Sequence, residues 1–146
     1  MKNNALEPGI TRVHAGQEWH VLGHTYWLLA NCDTTFAFET YDPPGTFVPP
    51  HIHPTQDEFI YVLEGELDLA LAGEKHKAGV GDLVRMPKGV PHAYYNNGDV
   101  PARAIFWVSP AGKLKELFDK LHELEDVDEV VRLSALHEVE FLPPEG

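Results

Sequence analysis

Basic residues are scarce in this chain of 146 residues. Eleven Lys and Arg stand against 23 Asp and Glu, for a formal net charge of -12. The imbalance runs along the whole length, with seven basic against thirteen acidic residues in 1–112 and four against ten in 113–146. Nucleic-acid binding needs a basic footprint and anionic membranes attract one, so neither is an expected partner. Cysteine is almost missing as well. Cys32 stands alone, which excludes an internal disulfide, reads as a small buried hydrophobe and makes a cytoplasmic location the expectation. The opening MKNNALEPGI has no apolar h-region, so no secretory leader is expected. No apolar run approaches the roughly 18 residues of a membrane helix. What remains is 43% hydrophobic and 23% charged, ordinary for one globular domain long enough to bury a core.

From Trp19 to Val108 a long helical period is also lacking. The segments there are short, β-branched or aromatic, and cut by turn residues. EWHVL and TYWLLA flank Gly23, TTFAFETY ends at DPPG, EFIYVL runs into Glu64-Gly65, and ELDLALA turns at Gly73. VGDLVRMP, PHAYY with its turn at Asn96-Asn97-Gly98, and ARAIFWV complete the series. Turn signals every 8–12 residues predict an all-β domain, a small antiparallel sandwich or barrel. At Ser109-Pro110 the character changes. Ser109 suits an N-cap and Pro110 the first helical position, and Leu114, Leu117, Phe118, Leu121 and Leu124 follow helical spacing. The prediction is an amphipathic helix over about 111–125, then a short one capped by Asp126 through Val127, Val130 and Val131. The expected organisation is an N-terminal extension (1–18), a β domain (19–108) and a helical tail (109–146) packed on the β domain or on a partner subunit.

Two arrays carry the chemistry. The first, G-x5-H-x-H-x4-E-x6-G, uses Gly45, His51, His53, Glu58 and Gly65. After fifteen intervening residues G-x5-P-x-G-x2-H-x3-N uses Gly81, Pro87, Gly89, His92 and Asn96. Five specified residues, each at a few per cent abundance, make a chance match to either rarer than about one in a million per start position.

The two arrays match the signature motifs of the cupin superfamily without a gap or substitution, and the chain resembles that superfamily over residues 45–96 directly. The resemblance implies a β-barrel of jelly-roll type holding one divalent transition metal, with His51, His53, Glu58 and His92 as ligands. The residues agree with that reading. In extended chain the imidazoles of His51 and His53 share a side, and Glu58 shares a face with Ile60 and Val62 while Phe59 and Tyr61 face away. A carboxylate on an apolar inward face is costly unless paired or metal-bound. Three imidazoles and one carboxylate suit Fe, Mn, Ni, Co, Cu or Zn, and on a six-coordinate ion they leave two positions open, the mark of a catalytic site. Gly45 and Gly65 fall where tight turns need permissive backbone. The alternative is a metal-free barrel with partly buried histidines.

Phe36, Phe38, Ile60, Tyr94 and Phe106 are the candidates for lining a pocket, although aromatics at strand spacing are more often core. His14, His20, His24, His76, His122 and His137 lack a partner spacing and are expected to be surface or satisfied polar residues. The runs YVLEGEL, GVPHAYYN and VSPAGKLKELF and the closing EFLPP are similar to the small quercetin 2,3-dioxygenase-like cupins. That resemblance implies a dioxygenase acting on a small phenolic or enolic, flavonol-like substrate, with Glu58 as general base. The alternatives are a non-redox metal-dependent isomerase, lyase or cyclase, and a non-catalytic small-molecule binder. Lys88 and Arg85 are the only basic residues close to the arrays, which favours a neutral or aromatic ligand. Single-domain cupins usually associate, so a homodimer through sheet faces, with residues 10–30 contributing, is the expected assembly.

Overall fold

The computed structural model describes residues 4–143. Alternating apolar residues along the strands are buried between two antiparallel sheets. One sheet holds six strands in the order β1 (Glu18–Val21), β2 (His24–Asn31), β3 (Phe36–Asp42), β10 (Ala102–Ser109), β5 (Asp57–Glu64) and β8 (Leu83–Met86). The other holds β11 (Glu140–Phe141), β4 (Phe47–Ile52), β9 (His92–Tyr95), β6 (Leu67–Leu71) and β7 (Glu74–Ala78). From β3 to β10 the chain changes sheet at every connection except the β6–β7 hairpin, which is the winding of a jelly roll. No strand of the described residues is hydrogen-bonded into both sheets, so the barrel expected from the sequence is a two-sheet roll. Trp19, Phe36, Ile60, Val62, Leu67 and Val108 are fully buried between the sheets, each contributing roughly 1.5–3 kcal/mol of transfer free energy.

Turns place the strands. Gly65 adopts φ +74°, and a Cβ there would meet the Pro101 carbonyl oxygen at 2.7 Å. Only glycine lets β5 turn so close to the start of β10. EKHKA, which the turn signals did not mark as a strand, forms β7. Its first four residues are exposed and it closes one edge of the smaller sheet. Charged, lysine-bearing edges resist pairing with other chains.

The helical tail departs from the sequence-based expectation at its start. Ser109 is the last residue of β10, opposite Asp57 in the ladder, so it is committed to the sheet and does not cap a helix. Gly112 has φ +53°, a left-handed turn that interrupts any helix begun at Pro110. Helix α1 therefore spans Leu114–Leu121, with Lys113 at the N-cap and no side-chain cap bond. Helix α2 (Val127–Leu136) starts as expected: the Asp126 carboxylate accepts from the Glu129 N–H. Glu140–Phe141 then pairs with Ile52 and His51 at the edge of the smaller sheet. Trp19 Nε1 and Gln17 Nε2 both donate to Asp119, at 2.9 and 2.8 Å, and tie α1 to the first strand. No helix among the described residues is long and apolar enough to cross a membrane.

Candidate metal centre

The local sequence forces the two arrays together. Pro49 and Pro50 have no N–H to give the β4–β9 ladder, which is irregular between Val48 and His51 and resumes with His51 opposite His92. His53 lies just past β4, and its carbonyl accepts the Gly89 N–H at 2.9 Å, so the turn that delivers His92 is fastened to the first array. In β5 the buried side is Glu58, Ile60 and Val62, while Tyr61 faces solvent, as strand alternation requires. Two sheets thus supply one cluster.

His51, His53, Glu58 and His92 are each 5% exposed or less. Each offers one donor atom, and these atoms lie within 4.8 Å of one another. Glu58 Oε1 is 3.1 Å from His92 Nε2 and 3.6 Å from His53 Nε2. The far side of each ring decides which nitrogen carries hydrogen. His51 Nδ1 donates to the Pro49 carbonyl at 2.8 Å, and His92 Nδ1 to the Val90 carbonyl at 3.2 Å. His53 Nδ1 donates to Gln56 Oε1 at 2.9 Å. The Gln56 amide is itself oriented, because its Nε2 donates to the Pro110 and Ala111 carbonyls at 3.0 and 2.7 Å. With every Nδ1 protonated, the Nε2 lone pairs face the Glu58 carboxylate. Acceptors cannot stand opposed at 3.1 Å unless a proton or a cation lies between them. Outer hydrogen bonds of this kind orient metal-ligating histidines, so the four residues fit a metal ion and could hold one.

The electrostatics agree. Burial, then the neighbouring His92 and His53, push the His51 imidazole down to about 3, so it is neutral at ordinary pH. Burial alone would raise the Glu58 carboxyl, but the surrounding His53, His92 and His51, with the His92 hydrogen bond, outweigh it and bring the carboxyl down to about 2. A neutral His51 imidazole and an ionised Glu58 carboxylate are forms that bind a metal.

His51, His53 and Glu58 open onto a cavity of about 110 Å³, and His92 sits behind them. Of the aromatics singled out in the sequence, Phe38, Tyr94 and Phe106 line this cavity. Phe36 and Ile60 do not. Both are fully buried in the core, Phe36 packed edge-on to Trp19 and Phe118. Sequence patterning missed much of the wall. His24 and Tyr26 from β2 belong to it, and so do Leu114, Leu117, Phe118 and Leu121. The apolar stripe of α1, legible as helical spacing, packs over this cavity with Phe118 stacked 4.9 Å from Tyr26. Burial and the charge of Asp42 raise the Tyr26 hydroxyl far above its ordinary range, and burial likewise raises Tyr94.

The remaining histidines divide. His24 is buried with Nδ1 2.6 Å from Asp42 Oδ1, and His137 is buried with Nδ1 donating to the Leu133 carbonyl. His14 stacks on Trp27, and His76 is exposed. His20 and His122 meet at the surface beside Glu123, brought together from 102 residues apart.

Comparison with known proteins settles the fold family. A cupin domain model matches residues 38–108. This stretch of the chain belongs to the cupin superfamily. Over 74 residues the cupin is 35% identical to the tetracenomycin polyketide synthase protein TcmJ of Streptomyces glaucescens, covering 51% of this chain and 50% of that protein. It is 43% identical over 67 residues to germin-like protein subfamily 2 member 1 of Arabidopsis thaliana, covering 42% of this chain and 31% of that one. The chain thus spans about half or less of these relatives. Among solved structures, KdgF from Halomonas sp. superposes with a TM-score of 0.66 at 23% identity, over 71% of this chain and 94% of that one. The polyketide cyclase RemF from Streptomyces resistomycificus gives 0.59 at 26% identity, over 70% and 80%.

Proposed function

We propose that this cupin holds one divalent transition metal on His51, His53, Glu58 and His92 and acts as an enzyme on a small phenolic or enolic substrate, in the first place as a dioxygenase. The observation that carries the reading is the opposition of Nε2 lone pairs to the Glu58 carboxylate at the wall of an apolar cavity. When bound, the ion supplies Lewis-acid polarisation of a substrate oxygen and, if redox-active, electron transfer to dioxygen.

The chain's own residues do the rest. Phe38, Phe106 and Phe118 hold the apolar body of the substrate and exclude water. Glu58, ionised and facing the cavity, accepts the proton of the substrate hydroxyl at Oε1 or Oε2. His53, steadied by Gln56, and His92, steadied by Val90, keep their Nε2 atoms aimed at the same point as the carboxylate.

A second reading, a metal-dependent cyclase or isomerase without redox chemistry, is favoured by the likeness to the polyketide cyclase RemF and to TcmJ. One experiment separates the two: oxygen uptake by iron-, nickel- and manganese-loaded protein with phenols and flavonols, repeated without oxygen. Uptake coupled to substrate loss supports the dioxygenase. Turnover that persists anaerobically, with no uptake in air, overturns it in favour of the second reading. No turnover with any of these metals leaves the protein a binder. The same proposal includes a homodimer, since Leu6, Ile10 and Val13 are largely exposed in the segment before β1. A monomer by light scattering at micromolar concentration would refute that part.

A further inference from the structure

The cavity has a second polar end that the metal reading leaves unused. Tyr26 on β2 and Tyr94 on β9 are each 5% exposed and both line it. Their hydroxyls face each other at 3.4 Å, and either can donate. Among the described residues this is the only side-chain hydrogen bond either hydroxyl makes. Two O–H donors share one contact, itself longer than the usual 2.5–3.0 Å of such bonds. One proton is therefore left without an acceptor inside a buried, largely apolar space, an arrangement that native structures rarely tolerate unsupplied.

The hydroxyl pair is firmly held. His24 stacks on Tyr26 with ring centres 5.7 Å apart and meets Tyr94 edge-on at 5.8 Å. Its own nitrogens are taken by Asp42 Oδ1 at 2.6 Å and the Phe47 carbonyl at 3.2 Å, and Asp42 also accepts from Thr40 at 2.8 Å. His24 thus buttresses the tyrosines and offers nothing to a ligand itself. Tyr94 lies two residues beyond His92 on the same buried face of β9, so its Cα is roughly 7 Å along the strand from that of His92. A carboxylate and imidazoles stand at one end and a spare hydroxyl proton at the other, with aromatic rings lining the same cavity.

Size narrows the ligand further. A cavity of about 150 Å³ holds one benzene, and drug-sized ligands need about 300 Å³ or more. This one encloses about 110 Å³ and is open on one side, so a single ring fills it and reaches its mouth, whereas a three-ring flavonol would lie mostly outside it.

We propose that Tyr26 and Tyr94 are ligand-binding residues that donate to a carbonyl or enolate oxygen of a single-ring phenolic or enolic substrate whose hydroxyl meets Glu58, and that three-ring flavonols are excluded. This rests on the reading of the cavity as a substrate site, and its donor part stands in the metal-free protein.

The test is calorimetric titration of metal-free and zinc-loaded protein with 4-hydroxybenzaldehyde, with phenol, and with quercetin as a competitor. A hydrogen bond gained gives 4-hydroxybenzaldehyde about a tenfold advantage in Kd over phenol. Tyr26→Phe and Tyr94→Phe should each shrink that advantage to about threefold or less, and the double variant should abolish it, with unchanged melting temperature showing that the fold survives. Quercetin should not compete. Equal Kd values for the two probes in the unaltered protein, an advantage that survives the double variant, or one-to-one competition by quercetin would each overturn the proposal. The probe comparison needs no variant, so it decides even if a tyrosine substitution fails to fold. Elemental analysis that finds no bound metal, with the probe advantage intact, would sink the metal reading and leave this one standing.

Discussion

Replacing Gln56 by alanine should weaken metal binding although Gln56 touches no metal. The side chain is 1% exposed and makes three bonds, accepting from His53 Nδ1 and donating to the Pro110 and Ala111 carbonyls. Without Oε1 the His53 ring loses the partner that keeps the hydrogen on Nδ1 and the lone pair on Nε2. Losing such an outer partner typically costs about 10–100-fold in metal affinity. Each bond lost from a buried site also costs about 1 kcal/mol, so on the order of 3 kcal/mol of stability goes with them. For a chain of this size that lowers the melting temperature by roughly 6–12 °C. Gln56→Glu separates the two effects. Its carboxylate still accepts from His53 Nδ1 but cannot donate to the two carbonyls, so it should melt early while holding metal more tightly than the alanine variant. The assays are zinc or manganese titration against a competing chelator and thermal unfolding of the metal-free forms. An alanine variant that binds metal as tightly as the unaltered protein would refute the argument that Gln56 orients His53.

Elemental analysis should give about one transition metal per chain, His51→Ala or His92→Ala should abolish it, and full occupancy in the His51/His53 double variant would overturn the ligand assignment. The metal-free protein should lose stability on acidification. His51 is shifted from an ordinary 6.5 to about 3, so below about pH 6.5 the unfolded chain takes up a proton that the folded one refuses, and the loss grows until pH falls to about 3. Glu58, lowered to about 2, adds a loss in the same direction below the ordinary carboxylate range. Urea titrations from about pH 7.5 to about pH 4 check this, and a midpoint independent of pH would contradict it. Phe118→Ala removes a ring packed within about 6 Å of Trp19, Tyr26, Phe36 and Phe38. It should cost about 3–5 kcal/mol, read as a melting point lower by on the order of 10 °C.

The two motif arrays are legible because each residue type is scarce and its spacing rigid, and strand alternation by itself groups Glu58 with Ile60 and Val62. Gln56 is invisible for the opposite reason. It lies between two ligands with no pattern of its own, and its partners are carbonyls more than fifty residues away. The stripe Leu114, Leu117, Phe118, Leu121 announces a helix and its apolar side, but periodicity does not say what that side covers. Phe36 and Phe38 alternate identically in sequence, and only the packing of Trp19 on Phe36 separates core from cavity wall. Ser109 misleads because a good capping residue is also a tolerable last residue of a strand.

The family motif ends at residue 108, yet α1, α2 and the strand beside His51 supply much of the cavity wall. The metal cluster therefore lies wholly within the motif stretch, while ligand choice is divided between the roll, through Tyr26 and Tyr94, and the tail that follows it. Substitutions after Val108 can reshape what fits without disturbing the cluster that reacts with it, so the tail can diverge, or be exchanged between relatives of like fold, while the roll stays constant. For anyone reshaping the apolar wall of this cavity without touching the metal cluster, the place to vary is the last quarter of the sequence.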